Sequence, residues 1–173
     1  MCGIRDGKYG LDFDRVNEVI SYEPETGIFR WKVKLSDRSP IGKRAGGYTS
    51  SGHWRIKVDG HYYLAHRLAW LLSQGVRPRD EIDHINRVRD DNRLANLREA
   101  SHSQNHANCG LRQDNTSGYK GVQFSKQRGK FIALVVKHGK RHHVGFFDDP
   151  FSAHLAYLAK AKELHGEFHS SGA

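Results

Sequence analysis

Three side chains near the middle of the chain have the types needed to hydrolyse a phosphodiester bond: Asp83, His84 and Asn105. Such hydrolysis requires a deprotonated water, stabilisation of charge on the phosphate and help for the departing oxygen. An imidazole with a pKa of about 6.5 can take a proton from water at cellular pH, which makes His84 a candidate general base. Asp83 and the amide oxygen of Asn105 are hard ligands of the kind that hold Mg²⁺ or Mn²⁺ together with water and substrate phosphate.

Asn96 lies between these residues in the sequence, and its amide could orient the His84 ring or close the loop. Asp-His pairs also occur by chance, so Asp83 could equally cap a turn while His84 packs against Trp70 or Leu97. Adjacent strand residues point to opposite faces. Asp83 and His84 can therefore share one site only if the strand ends or twists there, or if substrate bridges them.

Other polar residues around this group allow two interpretations each. His66 lies beside core-facing leucines, so a satisfied structural histidine is expected, with a phosphate contact as the alternative. Asp90 and Asp91 are expected to be solvated loop charges or turn formers. The nearby cations could contact phosphate or simply offset those acids: Arg87, Arg89 and Arg93.

The composition of the chain points to a polyanionic partner. Its 173 residues suffice for one ordinary domain or for two or three small modules. The net charge is +9, with 28 Lys and Arg against 19 Asp and Glu, so nucleic acid is the leading partner. The longest apolar run, at 68–72, is too short to span a bilayer, and the amino terminus lacks a signal-peptide core. Cys2 and Cys109 are too few for a disulfide framework, which predicts an intracellular protein.

Hydrophobic spacing and turn residues predict the elements that position the central group. Turns are predicted at Thr26-Gly27, Gly46-Gly47, Ser51-Gly52 and Asp59-Gly60. Helices are predicted at 12–21, at 64–75 ending near Gly75, and from an N-cap at Ser101. Strands are predicted at 28–33, 53–58, 61–64, 81–85 and 97–100, with a polar loop at 86–92.

A second module follows a linker-like stretch at 108–118. Three strands around residues 119–147, with a tight turn in KHGK, precede a helix that begins at Pro150. Its core-facing stripe is predicted to contain Phe151, Leu155, Leu158 and Leu164. Residues 111–143 hold eight Lys and Arg against the single acid Asp114, a charge pattern typical of DNA binding.

The motifs AHRLAWLL, DHIN, DNR, ANLR and SQN, in that order, resemble the HNH endonuclease family, in particular the small phage and intron homing nucleases. The resemblance covers about residues 22–108. It implies a ββα-metal (His-Me finger) unit in which Asp83 and Asn105 are metal ligands, His84 is the general base and Asn96 is the structural Asn of the motif. Because the third motif position is Asn, His102 and His106 stay open as rival ligands.

The chain departs from the resembled family at one loop position. Many relatives carry Gly and then a small polar or acidic residue after DHIN, whereas this chain has Arg87-Val88. If the loop needs a positive φ there, the β-branched Val88 cannot easily replace Gly.

The carboxyl-terminal pattern SGYKGV, GKRHHVGFFDD and an Ala-rich helix resembles the plant ethylene-response-factor (APETALA-two, AP-two/ERF) DNA-binding domain. The resemblance covers about residues 117–169 and implies a three-stranded sheet in the DNA major groove. Positions that match its groove-facing set are Lys120, Gln123, Lys130, Arg141 and His143; Arg128 joins them as a basic residue. The middle strand is apolar on both faces, so phosphate contacts are expected to carry most of the affinity. The alternatives are a sheet that only packs on the nuclease or a protein contact.

Together these observations predict an α+β protein. Four segments are expected: a strand-rich segment at 1–62, an HNH unit at 63–108, a linker at 109–118 and a DNA-binding domain at 119–169. The predicted function is a Mg²⁺- or Mn²⁺-dependent endonuclease on duplex DNA, of homing or nicking type, in the cytoplasm of a phage-infected or bacterial host cell. No membrane or protein partner is expected. The alternatives are a non-catalytic, sequence-tolerant DNA-binding protein with a degenerate HNH segment and, more weakly, an RNA-binding module.

Overall fold

The computed structural model describes residues 13–172. The chain divides into two compact units, residues 1–99 and 100–173, and each is described by itself. Both units mix helices with small antiparallel sheets, as the α+β prediction requires. Within the described residues, every helix is too short or too polar to cross a lipid bilayer. The four segments predicted from the sequence were divided by expected function and not by compact structure. Their boundaries stay predictions.

The first unit opens with helix α1 (Phe13–Val19) and the hairpin of β1 (Ile20–Glu23) and β2 (Ile28–Trp31). The predicted helix at 12–21 is therefore wrong at its end, and its first residue lies outside the described part of the chain. Ile20 is fully buried and pairs with Trp31. A β-branched residue with a strand partner gains more in the sheet than in one more helical turn.

A three-stranded sheet follows, in the order β3 (Gly47–Tyr48), β4 (Trp54–Val58) and β5 (His61–Leu64). The predicted turn at Asp59-Gly60 is confirmed, since both residues have positive φ, 49° and 84°. This conformation matches the right-handed twist of a two-residue hairpin. The predicted turn at Gly46-Gly47 is wrong in part, because Gly47 belongs to strand β3 and pairs with Arg55.

Helix α2 (Ala65–Gln74) buries Leu68 and Leu71 and ends at Gly75, whose φ of 71° gives the left-handed cap expected from the sequence. The chain then forms strand β6 (Glu81–His84), a loop, a short 3₁₀ turn (Leu94–Asn96) and strand β7 (Leu97–Ala100). β6 and β7 form a two-stranded sheet.

The second unit contains helix α3 (His102–Asn108) and a sheet in the order β10, β9, β8. These strands span Val122–Ser125 (β8), Lys130–Lys137 (β9) and Lys140–Phe147 (β10). The predicted tight turn between β9 and β10 is confirmed by positive φ at His138 and Gly139, 49° and 75°. Helix α4 (Pro150–His165) packs on one face of this sheet, and a 3₁₀ turn (Gly166–Phe168) follows.

The predicted core stripe of α4 is wrong at two of its four positions. Phe151 and Leu155 are 54% and 51% exposed, whereas Ala153, Tyr157 and Ala161 are buried. Small side chains let the helix approach the sheet closely, and Tyr157 fills the remaining space beside Gly121. Leu158 and Leu164 are partly buried against the same core.

Candidate active site

Strand β6 carries the carboxylate and the imidazole that the sequence marks as candidate catalytic groups. Asp83 and His84 are buried, with 4% and 6% of their surface exposed. The strand ends at His84, where the backbone N–H of Arg87 donates to the His84 carbonyl at 2.9 Å. The strand therefore ends at the pair, which is one of the geometries that would allow Asp83 and His84 to share one site.

Asp83 is held by an arginine from the neighbouring strand. The Nε and Nη2 atoms of Arg98, on β7, lie 2.9 Å from Asp83 Oδ2. The guanidinium group neutralises a carboxylate that would otherwise be buried with its charge uncompensated. Two nitrogen atoms of Arg98 thus contact the same carboxylate oxygen of Asp83.

Polar side chains lie around the His84 ring. Its Nε2 lies 3.4 Å from the amide oxygen of Asn92, which is 2% exposed. The edge of the His66 ring meets its ring at a centroid distance of 4.9 Å, and the His53 centroid lies at 6.2 Å. Burial lowers the pKa of His84 below its ordinary value, and the Asn92 hydrogen bond and the Asp83 charge oppose this only in part. The imidazole is therefore neutral at cellular pH, as a general base must be.

His66 is not the satisfied structural histidine that the sequence analysis expected. It is 6% exposed, and its Nδ1 has no hydrogen-bond partner among the described residues. Burial holds its pKa well below the ordinary value, and the neighbouring His84 and His53 rings lower it further. A buried polar atom without a partner is unfavourable, which is typical of functional sites.

His53 is a third imidazole at the site, and the sequence analysis did not select it. Its Nδ1 lies 3.1 Å from the Ser51 hydroxyl, and its ring is half-buried. Burial, the Arg89 charge and the His84 ring lower its pKa. No sequence motif marks His53, because it comes from the sheet of β3–β5 rather than from the β6–β7 segment.

Asn96 closes the loop after β6 and does not orient the His84 ring. Its Oδ1 accepts from the Asn86 N–H at 3.0 Å, and its Nδ2 donates to the Asp91 carbonyl at 2.8 Å. Its own carbonyl accepts from the Ile85 N–H at 2.9 Å. Asn92, in the DNR motif, is instead the amide at the His84 ring, and sequence reasoning missed its role.

Acids and cations in the loop form turns, as one of the two interpretations predicted. Asp91 accepts from Arg93 Nη2 and from Asn86 Nδ2, both at 2.6 Å. The Arg93 hydrogen bond lowers the pKa of Asp91 to about 2. Asp90 accepts from the Tyr48 hydroxyl at 2.7 Å, and Arg89 donates to the Ser51 carbonyl.

The φ of Arg87 is 65°. The loop therefore needs a positive φ at the position where the resembled family often has Gly, and Arg87 rather than Val88 adopts it.

The hairpin of β1 and β2 contacts the loop between β6 and β7. The Tyr22 hydroxyl donates to the Asn92 carbonyl at 2.8 Å, and the Leu94 N–H donates to the Pro24 carbonyl at 3.0 Å. A Cβ on Gly27 would lie 2.6 Å from the Arg93 nitrogen, so only glycine allows this close approach. The amino-terminal hairpin thus positions the loop that carries Asn92 and Asn96.

Asn105 lies on α3 in the second unit. Ser101 caps this helix and forms a reciprocal capping box with Gln104, which confirms the predicted N-cap. Asn105 is half-buried, whereas the rival ligands His102 and His106 are exposed.

The donor set suits a hard divalent cation with few protein ligands. The described residues contain no cluster of three or more His, Cys, Asp or Glu side chains that could hold a metal by themselves. Mg²⁺ is commonly held by one or two protein oxygens, with water and substrate phosphate completing the octahedron. Asp83 in the first unit and Asn105 in the second each carry an oxygen donor of this kind, so the donor chemistry of each residue fits such an ion.

The predicted DNA-binding residues of the second unit lie in different environments. Cross-strand pairs place Gln123, Arg141 and His143 opposite Ile132, Val136 and Leu134, on the face turned away from buried Ala133 and Val135. Arg128 stacks 4.4 Å from the Phe146 ring centroid at this face. Two lysines are engaged within the unit: Lys130 pairs with Asp148 at 3.0 Å, and Lys120 donates to the Ala107 and Cys109 carbonyls.

Comparisons with known proteins identify the family to which the chain belongs. The HNH endonuclease family pattern matches residues 63–107, which include α2, β6, β7 and most of α3. An uncharacterized HNH endonuclease, L560, of Acanthamoeba polyphaga mimivirus is 30% identical over 134 residues, covering 76% of this chain and 69% of the relative. The chain is an HNH endonuclease.

A second relative of this HNH endonuclease is Protein 3.8 of Escherichia phage T7. It is 33% identical over 105 residues, covering 60% of this chain and 85% of the relative. No solved structure matches the chain. Membership of the HNH endonuclease family confirms the predicted endonuclease. It does not favour the alternative of a non-catalytic DNA-binding protein.

Proposed function

We propose that the HNH endonuclease hydrolyses duplex DNA with His84 as the general base and with help from a divalent metal. The observation that supports this most directly is the buried, neutral imidazole of His84 on the same short strand as the Arg98-paired carboxylate of Asp83. Asn92 holds the ring in place by accepting from Nε2–H through its amide oxygen, so His84 takes a proton from water on Nδ1.

Asp83 and Asn105 are the residues that we propose as the protein ligands of Mg²⁺ or Mn²⁺. Their places in the motif carry this assignment, together with the hard-oxygen chemistry of the pair. When bound, the metal supplies Lewis-acid stabilisation of the phosphate and of the leaving oxygen. The element order β6, β7, α3 is the order of a ββα-metal unit, which is the finer fold that we propose for residues 63–108.

Asn96 has a positioning role in this proposal. Its three hydrogen bonds hold the loop that begins at the end of β6, so the amide fixes the backbone next to His84 without contacting the ring. Loss of Asn96 would therefore loosen the catalytic strand and not remove a reacting group.

The second unit supplies a grip on DNA in this proposal, with an ethylene-response-factor-like domain at 119–169. Arg128, Arg141, His143 and Gln123 lie at the outer face of its sheet and are assigned to DNA contact. Lys130 and Lys120 are in the same predicted set, although their ammonium groups bind Asp148 and main-chain carbonyls here. A homing or nicking role in the cytoplasm of a phage-infected or bacterial cell is a further part of the proposal, and the viral origin of the relatives supports it.

Supercoiled plasmid tests the catalytic assignment. His84→Ala should lose cleavage in Mg²⁺ and Mn²⁺ by at least about 100-fold, since general-base catalysis contributes roughly 10² to 10⁴. DNA binding by the variant should stay within about twofold of the parent, because a neutral buried ring contributes little to phosphate attraction.

His169→Ala, a replacement of a histidine outside the site, is the matched control and should cut at the parent rate. EDTA should abolish parent cleavage. Parent-like cutting by His84→Ala, with equal protein purity, would contradict the assignment.

A further inference from the structure

Strand β4 presents two cations on the face of its sheet that points away from the core. Trp54, Ile56 and Val58 face inward and are at most 9% exposed. Alternation along the strand places Arg55 and Lys57 on the other face, about 6.6 Å apart along the chain direction. We call this surface the β4 outer face and define it by Arg55, Lys57 and their cross-strand neighbour Tyr62.

Tyr62 organises both cations. Its ring is 48% exposed and lies opposite Lys57 on β5. The Arg55 guanidinium is 4.1 Å from the ring centroid, and the Lys57 ammonium is 5.4 Å from it. Cation–π contacts of this kind hold long side chains in one region, which lowers the entropy lost when an anion binds.

No acidic side chain belongs to the β4 outer face. Within residues 13–172, neither Arg55 nor Lys57 forms an ion pair, although many other cations of the chain do. The nearby carboxylate of Asp59 is bound by Arg15 at 2.8 Å. The β4 outer face therefore carries two positive charges that no carboxylate among residues 13–172 pairs with.

The same sheet is tied to the active site by side-chain contacts. His53 immediately precedes β4 and lies beside the His84 ring. Tyr48 on β3 donates to Asp90, and Arg89 donates to the Ser51 carbonyl, so two contacts join the sheet to the site loop. The sheet that carries the β4 outer face therefore borders the loop of the candidate active site.

We propose that the β4 outer face binds the sugar-phosphate backbone of the duplex that the endonuclease cuts. Phosphate is the favoured group because the unpaired cations match its charge and because Arg55 already covers the Tyr62 ring face that a base would need for stacking. The contact is separate from the proposed grip of the carboxyl-terminal sheet, and it rests on the endonuclease family and not on the assignment of His84.

The test is binding of a random-sequence duplex as a function of salt, without metal. The variant is Arg55→Gln/Lys57→Gln, which keeps most of each side-chain stem. The matched control is Lys34→Gln/Arg38→Gln, two exposed cations of the same unit outside the β4 outer face, with the same change in net charge.

The face variant should raise Kd about tenfold at 100 mM salt and should lower the slope of log K against log salt by roughly 1.8, the value for two lost phosphate contacts. The control pair should stay within about twofold of the parent, with the parent slope. Tyr62→Phe should bind like the parent because it keeps the ring.

A face variant with the Kd and slope of the control pair would overturn the proposal. A raised Kd with an unchanged slope would also overturn it, because the lost contact would then not be to phosphate. Binding without metal does not depend on cleavage, so failure of the general-base assignment would appear only in the plasmid assay.

Discussion

The rings of His53, His66 and His84 lie close together, and this proximity sets the charge that each can carry. Centroid distances between the three rings are 4.9, 5.7 and 6.2 Å. Burial lowers the pKa of all three imidazoles, and neighbouring rings lower the pKa of His53 and His66 further. A neutral cluster of this kind keeps the proposed base ready for proton transfer, but it makes the folded state sensitive to acid.

His66 should make the stability of the first unit dependent on pH. Below pH 6.5 the unfolded chain binds a proton at this histidine that the folded chain excludes, so the free energy of unfolding falls as the pH decreases. Between pH 7.5 and 5.5 the parent should lose about 1 kcal/mol through this residue. His66→Gln should remove that part of the loss. Urea unfolding followed by fluorescence measures it, since Trp31, Trp54 and Trp70 all lie in the first unit.

His106→Gln, at an exposed histidine of the second unit, controls for the loss of one imidazole. An equal pH dependence for His66→Gln and the parent would show that His66 does not carry the effect.

The loop between β6 and β7 positions the residues of the candidate site, and hydrogen bonds of Asn96 hold this loop together. Asn96→Ala should lower the free energy of unfolding by roughly 1 to 3 kcal/mol, because it removes two part-buried hydrogen bonds, to the Asn86 N–H and to the Asp91 carbonyl. Plasmid cleavage should fall at least about tenfold, while duplex binding changes little. Thermal unfolding and cleavage assays on the same preparation measure both effects.

Asn17→Ala, at an exposed asparagine of α1, is the matched control and should leave both properties near the parent values. Full activity in a stably folded Asn96→Ala protein would exclude the positioning role.

Local chemistry explains which elements could be predicted from the sequence. The turns at Asp59-Gly60 and His138-Gly139 depend on positive φ at adjacent residues, and such turns have a short sequence signature. The end of α1 was predicted wrongly because the hydrophobic pattern through Ile20 suits a helix and a strand equally. Pairing of Ile20 with Trp31 selects the strand. The buried face of α4 was predicted wrongly at Phe151 and Leu155. The short distance between helix and sheet favours the small side chains of Ala153 and Ala161, and the helix sequence alone does not reveal that distance.

The candidate site was predictable to the extent that it is contiguous. Asp83, His84 and Asn96 belong to one ordered motif and were found by it. His53 comes to the site from the residue before β4, outside the motif, and Arg98 belongs to the ANLR motif on β7. The contacts of both depend on packing that no local pattern records. Asn92 lay within a selected motif, but its contact with the His84 ring required the folded loop.

At the scale of the whole molecule, positive charge is present in both units. The second unit has ten Lys and Arg against five Asp and Glu, and the first has eighteen against fourteen. If the β4 outer face and the carboxyl-terminal sheet contact the same duplex, their contributions to affinity should add, because the cations are distant in sequence and share no partner.

Arg128→Gln/Arg141→Gln tests the contribution of the carboxyl-terminal sheet. This pair should weaken duplex binding about tenfold at 100 mM salt and lower the salt slope by roughly 1.8, as expected for two phosphate contacts. Cleavage at saturating protein should stay near the parent rate, since neither arginine belongs to the HNH motif. Combining this pair with Arg55→Gln/Lys57→Gln should multiply the two losses.

Lys160→Gln/Lys162→Gln on α4 provides the matched control, because it removes two cations of the same unit from the helix that covers the other face of the sheet. Equal losses in the two pairs would point to net charge alone and would contradict a specific sheet contact.

Arg87 has an evolutionary consequence that follows from its φ of 65°. A residue with a Cβ costs about 1 kcal/mol or more in this conformation, whereas glycine adopts it freely. Arginine and glycine codons differ by a single base, so one point mutation in either direction exchanges a positive charge in this loop for an unstrained backbone. The charge of the loop and about 1 kcal/mol of backbone stability are therefore one mutation apart.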